Sequence, residues 1–450
     1  MKVKLSFSKL KRGITLIQVV VVVVIVVVAA IAAALTLTPT FASLTPTFAS
    51  RKTTLNVWML TEVPPFTPTI PQQWAKEFEQ QHPGVNINFQ FINYGDYFTK
   101  LTAAITTHSL PDIIYIYNAW IPTFVSAGVL DVPPQWVQND VRANFTANSV
   151  QGVSYNGTIW GYPTETDDYM LLYNKALFQK AGISSPPQNW DQLVRDAQLL
   201  TVRGPNGKIE IEGFGVITGW DNGVFHPWLA LLRSDGGHLF YPNGTPALTS
   251  PQAMQVAEFY YNLTHVWNVT DPTIPWNTGF ETGHIAMLIM ADWWEATLRQ
   301  TMGSNFTNVG VAPIPIGPMG SKSLTVSYNW LWAVTSQSKD PTLAWEFLQF
   351  IDTPQGTNAV SPMGSWLMGL GIIPSRTSDL QGNSTFTSDP FLKPFLQALQ
   401  TGSAPSTPII PNYEQVVDVI WHTMEGIESG TVQPTQGMKL AQSEVASIVG

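Results

Sequence analysis

The sequence predicts an α/β protein built as two lobes of similar size, preceded by one apolar segment long enough to cross a membrane. Three observations carry this. From residue 54 onward, short β-type runs alternate with amphipathic helical patterns; the alternation comes in two series; and residues 14–35 hold no charge.

The apolar segment comes first in the chain. Residues 1–13 form a basic leader with Lys2, Lys4, Lys9, Lys11 and Arg12, and 14–36 read as a transmembrane or signal helix. Twenty-two uncharged residues at 1.5 Å each span a hydrocarbon core of about 30 Å. Basic residues stand on one side only, so Met1 is expected in the cytoplasm and everything after Leu35 outside. The run is longer than the 7–15 residues usual for the apolar part of a cleaved secretory signal peptide. The small residues of "AAIAAAL" keep removal near Thr36 open. Residues 37–50 repeat "LTPTFAS" in tandem, and 37–53 read as an extended Thr/Pro/Ser stalk. Seven Asn-x-Ser/Thr sites for glycosylation (Asn144, Asn156, Asn243, Asn262, Asn268, Asn305, Asn383) agree with an exterior location.

The globular part opens with "TLNVWML", a short strand, and "QQWAKEFEQQHPG", an amphipathic helix stopped by Pro-Gly. "VNINFQFI" alternates as a half-buried strand, "YFTKLTAAITTHS" is helical, and "PDIIYIY" is a buried strand. This order predicts a largely parallel sheet. The second series has the helix "SPPQNWDQLVRDAQLLTV", the strand "GFGVITGW" and the helix "SPQAMQVAEFYYNLTHVW". The strands "HIAMLIM", "NVGVAPIP" and "LWAVTS" follow, then the helix "PTLAWEFLQFI".

Composition narrows the function. Charged residues make up 12% of the chain, about half the share of an ordinary soluble domain. Thr, Ser, Asn and Gln supply the polarity instead, a surface that stays hydrated when carboxylates are protonated and so suits an acidic exterior. A net charge of −9 with thinly spread basic residues argues against nucleic acid. The absence of cysteine excludes disulfides and thiolate chemistry. There is no His-Glu-x-x-His, no Gly-x-Ser-x-Gly and no phosphate-binding loop, so neither metal nor cofactor is expected, and no catalytic residue is assigned. Glu165, Asp167, Asp168, Asp221, Asp292 and Glu295 leave an extracellular glycoside hydrolase open as an alternative.

Tryptophan is the positive signal. Of 17, several stand beside polar residues at strand ends: Asn118–Trp120, Trp220–Asp221, Asp292–Trp293–Trp294 and Asn329–Trp330. A sugar ring has an apolar C–H face and a rim of hydroxyls, and aromatic faces flanked by carboxylates and amides match both.

The order of segments across residues 54–450 resembles the extracellular solute-binding proteins of ABC importers, of the maltose/oligosaccharide-binding type. The stretches that carry it are "NVWML…WAKEFEQQHPGVNINF", "KLTAAITTHSLPDIIYI", "GVLDV", "IWGYPTETDDYMLLYNKALFQKAGISSPPQNWDQL", "FETGHIAMLIMADWW" and "GIIPSR". The resemblance implies a two-lobed periplasmic-binding-protein-like fold of class II type, with residues 54–164 plus 273–313 as one lobe and 165–272 plus 314–450 as the other. It implies binding without catalysis, by a monomer that closes on a saccharide and is recognised by permease subunits. Carried over residue by residue, the expected contacts are Glu62, Asn118, Trp120, Asp167, Asp168, Asp292 and Trp293, with Trp220, Asn329, Trp330, Trp366 and Tyr413. A peptide or other solute stays open. "KRGITLIQVV" is similar to the pilin-like signals of archaeal surface proteins, which implies cleavage between Gly13 and Ile14 and a retained anchor in the cytoplasmic membrane.

Overall fold

A computed structural model of the chain describes residues 53–61, 68–357 and 359–450. The basic leader, the apolar run, the repeated stalk, the Gly13–Ile14 pair and Glu62 lie outside the described residues. No helix among the described residues is long and apolar enough to cross a membrane.

Strand β1 (Thr53–Thr61) buries Leu55, Val57 and Met59 and turns Asn56 outward, the period of two that a strand imposes. Helix α1 (Thr69–Gln81) sets Trp74, Ala75 and Phe78 on one face and lays it on strand β2 (Val85–Asn93). Gly84, at φ 96°, makes the turn between them. Helix α2 (Tyr94–Thr106) leads to β3 (Ile113–Tyr117), buried at all five positions. Strand β1 pairs in parallel with both β2 and β3, as strand–helix–strand connections require.

The long strand β4 (Tyr162–Asn174) is buried at every residue but Tyr173. Helix α3 (Asp221–Ser234), helix α4 (Pro251–His265) and the short α5 (Trp276–Glu281) follow. Ser250 caps α4 by accepting the Ala253 N–H, with Pro251 at the first turn where its missing donor costs nothing. Then come β5 (Met287–Ala291), β6 (Val309–Ala312), β7 (Ser327–Val334) and α6 (Pro341–Asp352). Helices α7 (Tyr413–Glu428) and α8 (Pro434–Val449) finish the chain, with α7 packed on α3, α4 and α8.

One sheet runs in the order β6-β4-β7-β3-β1-β2, with β5 also on β4. Strand β4 belongs to both lobes. Its first part, Tyr162–Asp168, pairs with β7, which continues onto β3. Its second part pairs with β5 from Tyr169 and with β6 from Leu171. The change of partner falls between Asp168 and Tyr169.

This pairing corrects two expectations. Residues 287–291 and 309–312 lie with the second part of β4, not with the first lobe. Residues 327–334 lie against β3 in the first lobe, and α6 packs on α1 there. The reason is burial: β7 is covered along all eight residues, and a strand covered on both faces needs a central place between two others. Residues 213–220 are not a strand. The N–H of Gly213 goes to Val269 O (3.0 Å) and that of Gly215 to Met287 O (2.8 Å), so the segment threads between two different partners. A Cβ on Gly213 would stand 1.9 Å from Ala197 O, which is why glycine is there.

Candidate functional site

The two lobes meet around a cavity of about 460 Å3, within the size range of small-ligand sites. The first lobe contributes Leu60 and Thr61 at the end of β1, Tyr94 at the start of α2, Tyr117 at the end of β3, and Tyr328 and Trp330 on β7. Glu165, Asp167 and Tyr169 come from the shared strand β4. The second lobe adds Trp220, Asn222 and His226 around α3, Trp276 and Glu281 on α5, and Trp293, Trp294 and Thr297 beyond β5. Strand ends and helix starts converge here, so each side chain is held by a rigid element.

Aromatic rings make most of the wall. Trp220 and Trp276 lie nearly parallel, with centroids 6.1 Å apart and planes at 28°. Trp276 meets Trp294 at 5.2 Å. From the other lobe Tyr94 stands edge-on to Trp220 at 6.4 Å and to Trp330 at 6.3 Å, and Tyr115 supports Trp330 from behind at 5.3 Å and 13°. Flat faces at such spacings present the apolar surfaces on which a ring with axial C–H groups can lie.

Several polar groups are held in place by buried partners. The Thr164 hydroxyl (2.5 Å) and the Tyr115 hydroxyl both donate to Glu165. Burial pushes this carboxyl up to about 7, against those two donors. His226 contacts Tyr117 OH through Nε2 (3.0 Å) and Tyr169 OH through Nδ1 (3.2 Å), and its ring stacks on Tyr328 at 5.0 Å. Burial, with Arg233 nearby, pushes His226 down to about 3, so its imidazole is neutral. No lysine or arginine lines the cavity among the described residues, and residues 62–67 contain none by sequence. Among the described residues the site therefore offers hydrogen-bond acceptors, hydroxyls, the amides of Asn222 and Asn277 and aromatic faces, and no cation for an anionic ligand.

Asp167, Trp220, Trp293 and Trp330, expected from sequence, line the cavity. Among the described residues, the other expected contacts do not line it. Asn118 is wholly buried; its Nδ2 donates to Gly152 O (3.0 Å) and its Oδ1 accepts the Asn329 N–H (3.3 Å). Asn329 donates to Glu165 O (2.9 Å) and Thr166 Oγ1 (2.7 Å), joining β7 to β4. Trp120 is buried, and its indole N–H donates to Glu414. Asp292 accepts the backbone N–H of Asp168 (3.2 Å) and of Ile373 (3.3 Å), and Asp168 is buried beside it. Trp366 stands edge-on to Trp74 at 5.7 Å in the first-lobe core. Tyr413 lies behind the wall, its hydroxyl donating to Asn222 Oδ1 (3.2 Å) and 3.2 Å from Tyr117 OH. Tyr117 lines the cavity while Asn118 opens the 3-10 turn that follows β3; in the like turn after β5, Trp293 and Trp294 both line it while Asp292 turns to backbone donors. Tyr94, His226, Trp276, Glu281 and Tyr328 carried no sequence signal beyond being aromatic or polar near element ends.

Comparison with known proteins agrees with this architecture. The family model for bacterial extracellular solute-binding proteins matches residues 64–358. A maltotriose-binding protein of Pyrococcus abyssi is 25% identical over 340 residues, covering 73% of this chain and 68% of its own. The diacetylchitobiose-binding protein of Streptomyces coelicolor is 23% identical over 379 residues, 81% of each chain. An ABC-transporter solute-binding protein of Thermotoga lettingae, solved with α-D-tagatose, superposes with a TM-score of 0.76 at 24% identity, over 88% of this chain and 100% of its own. This chain belongs to the bacterial extracellular solute-binding protein family.

Proposed function

We propose that this protein is the extracellular capture component of an ABC importer, binding a sugar or short oligosaccharide between its lobes and presenting it to a membrane permease. The observation that carries the reading is the cavity itself, with tryptophan and tyrosine from both lobes, carboxyl and hydroxyl groups between them, and no basic side chain among the described residues. Sugar hydroxyls donate to carboxylates while C–H faces stack on indoles, and contact with both lobes stabilises the closed form. Relatives that bind maltotriose and diacetylchitobiose support a saccharide. Calorimetry against a panel of neutral mono- and oligosaccharides tests it: micromolar or tighter binding of one member is expected. Binding of a peptide pool with silence across the panel would replace the saccharide by another solute.

The same reading assigns residues 14–35 as a retained tether, with the leader cut between Gly13 and Ile14 in the manner of archaeal pilin-like signals, and the lobes outside the cell. Asn144, Asn156, Asn243, Asn268 and Asn305 are exposed, and Asn262 and Asn383 half-buried, so the exposed five are the accessible glycan acceptors. N-terminal sequencing and glycopeptide mass spectrometry of native protein test both assignments; a start near Thr36 would mean release.

A further inference from the structure

We propose that closing the two lobes takes up protons at Asp168 and Glu414, neither of which lines the cavity, so that solute capture is favoured in acid. The inference rests on the capture reading above. It makes these two carboxyls positioning residues for closure.

Glu414 spans the gap between the lobes. It opens α7 in the second lobe, and the indole N–H of Trp120, just after β3 in the first, donates to it. Tyr94 of α2 faces it from the first lobe, where its hydroxyl accepts from Asn222 Nδ2 (3.1 Å). Tyr117 of β3 and Tyr413 also face it. Among the described residues, the charged groups around Glu414 are Asp221 at the start of α3 and Asp418 one turn along α7. Both are acidic. Arg233 on α3 faces Tyr413 and Tyr117 and donates to the carbonyls of Pro405 (2.6 Å) and Ser406 (2.8 Å). Burial, then Asp221 and Asp418, push Glu414 up to about 8 against the pull of the Trp120 N–H.

Asp168 stands where β4 exchanges β7 for β5, the point about which the lobes share a strand. It is fully buried, and among the described residues neither carboxyl oxygen meets a hydrogen-bond partner. Against it lies Asp292, whose own oxygens are occupied by two backbone N–H groups. Asp167, Tyr169 and Tyr328 surround the pair, and Glu295 behind it is engaged by Arg299 (2.5 Å). Two adjacent buried carboxyls cannot both ionise, and burial raises both.

When the lobes part, these groups regain water and return toward the ordinary carboxylate range near pH 4. A group raised in the closed state favours closure fully below its open-state value. That advantage is lost as pH rises through the closed-state value. Between about pH 4 and about 8, Glu414 changes the closing equilibrium by up to tenfold per pH unit, and Asp168, raised by burial and by Asp292, acts in the same direction.

The chain contains no cysteine, so Gln80→Cys on α1 and Glu258→Cys on α4, both exposed, give a clean pair of spin-label sites. Double electron–electron resonance on the solute-free, full-length protein then reads the closed and open populations at pH 4.5 and 7.5. The closed-to-open ratio is expected to be at least tenfold higher at pH 4.5. Glu414→Gln, which keeps the acceptor for Trp120, and Asp168→Asn are each expected to flatten the difference. Equal populations at both pH values, or a Glu414→Gln protein as pH-dependent as the parent, would overturn the proposal. If Asp168→Asn does not fold, the parent and Glu414→Gln alone decide it. Because no solute is present, failure of the sugar panel would sink the saccharide reading and leave this result standing.

Discussion

Trp293 meets Trp220 edge-on across the cleft wall, with ring centroids 5.9 Å apart and planes at 72°. The two come from distant stretches of chain, one just before α3 and one just after β5, and together they form a corner into which a sugar ring can stack. Trp293→Ala should weaken saccharide binding by ~1–3 kcal/mol, the scale of a lost aromatic anchor, while Trp293→Phe retains part of it. Calorimetry on the two variants decides this, and unchanged affinity in Trp293→Ala removes that residue from the site.

Much of the fold was legible because burial is periodic. Phe78 and Trp74 mark the buried face of α1, and the unbroken apolar run of β3 marks a strand covered on both sides. The glycine-flanked run 213–220 misled for a physical reason: its β-type residues are apolar, but its backbone donors go to two separate partners. The lobe boundaries misled because chain order does not say which side of β4 a later strand joins. Of the tryptophans beside polar residues, Trp220, Trp293, Trp294 and Trp330 line the cavity and Trp120 does not. Which residue of each pair faces inward is set by the short 3-10 turns that follow β3 and β5, which strand periodicity does not describe. Tyr117 lines the cavity while Asn118 bonds Gly152 O.

Asp292 illustrates the consequence. Its two carboxyl oxygens hold the N–H groups of Asp168 and Ile373, tying β4 to the segment that returns beside it. Asp292→Ala should therefore act first on stability, by about 1–3 kcal/mol, because two buried donors lose their acceptor. Urea unfolding of parent and variant measures it. A variant as stable as the parent but with abolished sugar binding would make Asp292 a direct contact after all.

Charge selectivity follows from the lining. Glu165, Asp167 and Glu281 face the cavity without a basic side chain among the described residues. A uronate in place of a neutral sugar would bury an anion with no partner, at a cost of about 3–5 kcal/mol. The expected result is affinity more than about a hundredfold weaker than for the matching neutral saccharide. Competition calorimetry with a neutral oligosaccharide and its oxidised uronate measures the ratio, and comparable affinities would contradict it.

The whole molecule should be most stable in mild acid. Glu212 is 1% exposed and accepts the Asp271 N–H (2.5 Å). Burial first, then the charges of Asp271 and Glu428, push it up to about 9. Glu428, itself raised to about 8, and Glu165, raised to about 7, add to the same trend. A carboxyl raised on folding contributes stability that is complete below its unfolded value, and that contribution is lost as pH rises through the folded value. The window here opens at about pH 4 and closes near pH 9. His226 has the opposite sign. Lowered to about 3, it favours the folded state above its unfolded value of about 6.5 and costs stability as pH falls toward 3. Three carboxyls outweigh one imidazole, so unfolding free energy should peak near about pH 4–5 and decline by roughly 1 kcal/mol per pH unit for each group in its window. Glu212→Gln should remove its share of the loss above about pH 5. Urea denaturation at pH 4.5, 6, 7.5 and 9 reads the slope. Stability that rises from pH 4.5 to 9 would show that these carboxyls gain water or partners on the alkaline side.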